Sequence, residues 1–108
     1  MTRGDMGSVV GPIVGLVDYQ AGAVVSRTIL KKDAGSVTVF AFDRGQALSE
    51  HTVPYDALVL LVDGRGEITV GGTPHELGEG DTILMPANVP HAVRALERFK
   101  MALIMLRA

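Results

Sequence analysis

Residues 45–64 read Gly-Gln-Ala-Leu-Ser-Glu-His-Thr-Val-Pro-Tyr-Asp-Ala-Leu-Val-Leu-Leu-Val-Asp-Gly. A polar, histidine-bearing start runs past Pro54 into six apolar residues, Ala57 to Val62, and ends at a glycine. Six apolar residues in a row are too few for a lone helix and typical of a strand buried on both faces. The same grammar extends in both directions. Upstream, Val24 to Lys31 is rich in β-branched residues and reads as a strand. Ser36 to Asp43 alternates, with Val37, Val39 and Ala41 on one side and Ser36, Thr38, Phe40 and Phe42 on the other. Both sides become apolar toward the end, so the second side is expected to be covered as well.

Ala47 to Thr52 is a short strand before the Pro54 break. Downstream, Asp63-Gly64-Arg65-Gly66 carries a hairpin signal, and Gly71-Gly72 carries another. Glu67 to Val70, Pro74 to Leu77 and Thr82 to Met85 are further strands, separated by the turns Gly78-Glu79-Gly80-Asp81 and Pro86 to Pro90. His91 to Ala108 reads two ways. Ala92, Ala95, Leu96, Glu97, Arg98, Lys100 and Met101 are good helix formers, yet Met101 to Leu106 has no helical polar face and equally suits a doubly buried strand. Met1 to Gly11 is small, polar and Gly-rich and is expected to be mobile. Pro12 to Tyr19 suits a helical turn or an extended lead-in. The division is an N-terminal extension, 1–23, partly mobile, and one β-barrel domain, 24–108.

Composition narrows the function. At 108 residues the chain has the size of one ordinary domain. It has no cysteine, which excludes disulfides, thiolate catalysis and thiolate-held zinc and fits a reducing cytoplasm. Ten Lys+Arg against twelve Asp+Glu leave no basic stripe for phosphates, so nucleic acid is not an expected partner. No apolar run approaches the roughly 20 residues of a membrane span, and Met1 to Ser8 has no signal-peptide core. A soluble, cytoplasmic protein without a membrane partner is expected. Eight or so short strands with Gly turns point to an all-β jelly roll or barrel.

Two motifs make the chain resemble a small single-domain cupin, of the RmlC-like jelly-roll, conserved-barrel family. That family's first motif runs Gly, five residues, His-x-His, three or four residues, Glu, six residues, Gly. Here Gly45, five residues, His51, Thr52, Val53, three residues, Ala57, six residues and Gly64 follow the same spacing. The second motif runs Gly, five residues, Pro-x-Gly, two residues, His, three residues, Asn. Here it becomes Gly80, Pro86, Ala87, Asn88, His91 and Ala95. The resemblance covers Val24 to Leu106 and implies strands in the C-terminal third.

In metal-binding cupins the two His and the Glu of the first motif and the His of the second hold one divalent ion. The resemblance therefore implies His51 and His91 as residual ligands, with Val53 and Ala57 where the other two donors would stand. Neither Val nor Ala has a lone pair to give. Zinc sites use three or four protein ligands, so a divalent metal, if bound here, is expected to be bound weakly. The reading that follows is a small-molecule-binding barrel with a degenerate metal site. His51, Val53, Tyr55, Ala57, Met85 and His91 line its pocket, and the histidines bond to each other, to water or to backbone. The alternative is a metal-dependent cupin enzyme of dioxygenase or isomerase type that uses His51 and His91. A third is metal-free acid–base chemistry like that of the sugar epimerases the fold resembles, with Glu50 or Asp56 as partner carboxylate. Asp56 is expected to stabilise a turn and His75 to lie on the surface. Whether any reaction is catalysed stays open in the residues alone. The apolar runs 57–62 and 101–106 have too few polar positions for one solvated face, so a homodimer through an outer sheet face is expected.

Overall fold

The computed structural model describes residues 2–3 and 8–107. The expected mobility of residues 1–11 rests on residue 1 and residues 4–7, which lie outside the described residues. β1 (Thr2–Arg3) and β2 (Val9–Val10) form a small antiparallel pair. A single 3-10 turn, Ile13–Gly15, resolves the choice left open for residues 12–19. Seven strands then build the barrel: β3 (Val24–Lys32), β4 (Gly35–Phe42), β5 (Ala47–His51), β6 (Asp56–Val70), β7 (Thr73–Gly78), β8 (Thr82–Met85) and β9 (His91–Leu106). Among the described residues no helix is long and apolar enough to cross a membrane.

The C-terminal third is strand, although its propensities favour helix. Phe99 and Met101 fill the interior while Ala102 packs on the opposite face, and burial on both faces outweighs the small propensity differences. β6 and β9 are long because each serves two leaves of a jelly roll. Residues 99–106 of β9 pair with β4 on one side and with residues 56–64 of β6 on the other; β3 and β8 form the margins of this first leaf. Residues 91–95 of β9 pair with β5 and with residues 66–70 of β6, and β7 closes the second leaf.

The hairpin expected at Asp63-Gly64-Arg65-Gly66 is not one. β6 runs straight through it, with register shifts between Leu61 and Asp63 and between Gly64 and Gly66. The glycines serve a bulge that bends β6 from one leaf into the other. Gly64 has φ +75°, and a Cβ there would lie 1.7 Å from the Arg98 carbonyl oxygen. Gly66 leaves room for the Phe99 ring, 3.0 Å from where its Cβ would be. At this closed end Phe42 and Phe99 stack at 4.5 Å and 6°. Such a pair adds about 0.5–1.5 kcal/mol beyond the area it buries. Leu61, Ile68, Val59 and Met101 complete the fully buried core between the leaves.

The first leaf also has a covered outer side. Leu16, Val17 and Tyr19 lie on Val39, Ala41, Leu60 and Ala102. The strap is pinned by polar contacts. Tyr19 Oη donates to Asp63 at 2.6 Å, Lys100 Nζ donates to the Val14 carbonyl at 2.6 Å, and the Arg98 guanidinium sits 4.4 Å above the Tyr19 ring. Burial, reinforced by the bond to Asp63, pushes the Tyr19 phenol well up. Part of the cover expected from a second subunit is thus supplied by the chain's own N-terminal segment.

Candidate functional site

The barrel's other end is crossed by two short connections, residues 52–55 and residues 86–90. The first carries the chain from His51 in the second leaf to Asp56 in the first. The second returns it from Met85 to His91. They are tied together: Asn88 N–H donates to the Val53 carbonyl at 2.8 Å, and Ala87 N–H donates to Asp56 Oδ1 at 2.8 Å. Asp56 therefore holds a turn, as its place in the sequence suggests. Asn88 has φ +65°, the left-handed conformation that glycine or asparagine adopts at least cost. Its substitution for the usual glycine leaves the turn intact.

These connections bring His51 and His91 together as direct cross-strand partners. A bulge achieves this. Leu48 pairs with Val93 and His51 with His91, so three steps on β5 match two on β9. The extra residue puts His51, rather than Glu50, on the face of inward-pointing Leu48. Glu50 stays exposed. The two Nε2 atoms lie 3.1 Å apart, with ring centroids at 4.3 Å and planes at 68°. His51 Nδ1 faces the Ser49 carbonyl at 2.9 Å, and His91 Nδ1 faces the Val89 carbonyl at 3.3 Å. A carbonyl oxygen only accepts, so each Nδ1 carries the hydrogen. In the neutral pair both Nε2 atoms then present lone pairs to one another. One added proton, a ligand's O–H or N–H, or a metal ion is what completes such a pair. His91 is 5% exposed, and desolvation, helped by neighbouring His51 and opposed by the Val89 carbonyl, pulls its proton affinity below the ordinary imidazole value.

The other expected pocket residues divide. Ala57 and Met85 are cross-strand partners, both buried at the mouth end of the first leaf. Val53 is half-buried in its connection. Tyr55 is half-buried with its ring 4.8 Å beneath the Arg107 guanidinium. Hollows of about 190 to 620 Å³ lie along the outer faces and sheet margins, and neither histidine lines them. One of about 450 Å³ is lined by His75 with Thr73, Leu77 and Ile83. His75 is exposed, as expected, but it pairs with fully buried Ile68 and so shares the inner side of its leaf. The alternation Thr73, His75, Leu77 carried that signal.

The site offers two nitrogen donors, His51 Nε2 and His91 Nε2. Two ligands at right angles, each about 2.1 Å from one ion, stand about 3.0 Å apart, close to the spacing of the two Nε2 atoms. Among the described residues no group of three or more His, Cys, Asp or Glu side chains could hold an ion. Val53 and Ala57 bring no donor.

Comparison with known proteins agrees with this architecture. Residues 38–106 match the cupin domain family. A conserved protein of unknown function from Streptococcus pyogenes is 35% identical with a TM-score of 0.89, over 94% of this chain and 89% of that one. A cupin superfamily protein from Desulfitobacterium hafniense is 29% identical with a TM-score of 0.86, over 90% and 89%. A cupin 2 conserved barrel domain protein from Leptotrichia buccalis is 39% identical with a TM-score of 0.84, over 87% of this chain and 46% of that one. No curated protein matches the chain.

Proposed function

The chain belongs to the cupin family, and on that premise we propose that it is a small-molecule-binding barrel whose metal site has been reduced to two imidazoles. The observation that carries the reading is the His51–His91 pair. Its Nε2 atoms converge at 3.1 Å, each ring is oriented by a backbone carbonyl, and Ala57 stands where the family's carboxylate would be. Loss of that carboxylate removes the charge that offsets a divalent cation. What is left is a nitrogen fork at the mouth of an apolar barrel. Neutral, it accepts a hydrogen bond from a hydroxyl or N–H of the ligand. With one proton added, it becomes a cation that attracts a carboxylate.

A thermal-shift screen against small polyols, amides and carboxylates tests the proposal. A ligand at 100 times its Kd raises stability by about 2.7 kcal/mol. The expected hit shifts the wild type, leaves His51→Ala and His91→Ala unmoved, and is recovered chemically unchanged. A library-wide absence of shifts, or a hit consumed during incubation, contradicts binding without turnover.

One distance favours a second reading, a metal-dependent cupin enzyme of dioxygenase or isomerase type. The Nε2 spacing suits two ligands on a single ion. This reading requires a third donor from the ligand or from water.

A further inference from the structure

β7 and β8 both pair with β6 and not with each other, so the two leaves stand open along this margin. The hollow of about 450 Å³ lies in that opening, walled by residues of these two strands with Val70 and Pro86. The inner-facing positions of β7 are Thr73, His75 and Leu77, paired with Val70, Ile68 and Gly66. Leu77 is buried, whereas His75 and Thr73 are exposed to the hollow. Across from them Ile83, the cross-strand partner of fully buried Val59, is half-buried. An aliphatic side chain at position 75 would extend the core over this gap. An imidazole on the inner side of a leaf is the informative exception.

Both ends of the opening are fixed. Toward the closed end of the barrel, turn 78–81 joins the two strands. Gly78 N–H donates to Asp81 Oδ2 at 2.8 Å, Leu61 N–H donates to the Asp81 carbonyl at 2.9 Å, and Gly80 N–H donates to the Leu61 carbonyl at 2.8 Å. Toward the mouth, the connection that begins at Pro86 is held by Asp56 and by Gly71, whose N–H donates to the Pro90 carbonyl at 2.8 Å. Val70 stands between this opening and the histidine fork, paired with Thr73 on one side and His91 on the other. From these observations we propose that the opening is a second small-molecule site, separate from the fork. It takes an uncharged molecule with an apolar body and a hydroxyl or carbonyl edge.

The lining selects that occupant. Leu77, Ile83 and Pro86 supply apolar surface, and Thr73, His75 and Thr82 supply polar groups. This mix and this volume are those of small-molecule pockets, which run from roughly 300 to 1,000 Å³. No Lys, Arg, Asp or Glu lines the hollow, so a charged group would give up water with no counter-charge to receive it. A hydroxyl or carbonyl finds partners, because threonine hydroxyls both donate and accept and imidazole nitrogens can do either. A cleft stopped at both ends holds a small molecule and gives an extended strand no way through.

Titration of methyl-labelled protein with p-cresol and with cyclohexanol, followed by carbon–proton NMR, tests the proposal. Saturable shifts are expected at the Ile83 and Leu77 methyls, with Kd in the millimolar range that so few ligand atoms allow. p-Toluate and cyclohexylammonium, close in shape but charged, should bind about tenfold more weakly. His75→Ala should weaken p-cresol binding about tenfold through the loss of one hydrogen bond. Thr73→Val, close in size and at an exposed position, should weaken it severalfold with circular dichroism unchanged. Absence of saturable shifts overturns the proposal, as do shifts centred on His51 and His91. Equal affinity for charged and uncharged probes, or unchanged affinity in both variants, overturns it as well.

Discussion

At the closed end of the barrel, Phe42 and Phe99 stack within a fully buried cluster, and two glycines admit the bend that brings β6 around them. At the mouth, two connections of four and five residues are held by one backbone hydrogen bond and one from main chain to the Asp56 carboxylate, and the functional side chains brought together are two imidazoles. The buried positions at the first end are specified by packing, so little can change among them without loss of stability. The second end is specified by hydrogen bonds to main chain, which survive substitution of most of its side chains. On the proposed reading, Val53 and Ala57 can therefore take the place of two family donors while the barrel stays intact.

The largest effect expected from this contrast is at the closed end. Phe99→Ala removes the stacked ring and leaves a cavity, and it should cost about 3–5 kcal/mol in denaturant unfolding. His91→Leu at the mouth should cost less than half as much; equal losses would erase the distinction. Gly64→Ala follows, at roughly 3 kcal/mol, because it adds the left-handed penalty to a clash with the Arg98 carbonyl. A shift below about 1 kcal/mol there would mean that the bend tolerates a side chain. Val53→His with Ala57→Glu restores the family's donor set at the mouth. At a hundredfold excess of zinc over Kd it should gain about 2.7 kcal/mol that the wild type does not gain. Failure of the double variant to respond would show that the mouth has lost its geometry as well as its donors.

The smallest effect is a pH dependence. The folded chain holds a proton on His91 less tightly than the unfolded chain does. The stability that neutral His91 contributes is therefore complete above the ordinary imidazole value of about 6.5 and is lost as pH falls through that value toward the lowered one. Melting temperatures of the wild type should fall more steeply between roughly pH 7 and pH 5 than those of His91→Leu. Parallel curves would place the His91 imidazole in contact with water.

The same contrast explains what could be read from the residues alone. Strand positions and most turns were legible, because alternation and glycine report directly on backbone conformation. The spacing from Gly45 to Gly64 and from Gly80 to His91 carried the fold. Asp63-Gly64-Arg65-Gly66 misled, because a hairpin and a bulge ask the same residues for the same left-handed backbone. What separates them is whether Phe99 waits on the far side. The facing of His51 depends on one extra residue in β5, and no local pattern announces a bulge there. Leu16, Val17 and Tyr19 fall in a stretch that suits a helical turn and an extended lead-in alike, because their partners, Val39 and Ala102, are far off in sequence. Burial of His91 beside His51 is likewise a product of pairing across 40 residues.

Metal content tests the central claim most directly. The chain should be purified without metal-affinity steps, dialysed against buffer free of chelator, and analysed by elemental mass spectrometry beside His51→Ala and His91→Ala. The account predicts far less than one transition-metal ion per chain in all three, and a melting temperature that a chelator does not change. One tightly held ion per chain in the wild type, absent from both variants, would contradict it.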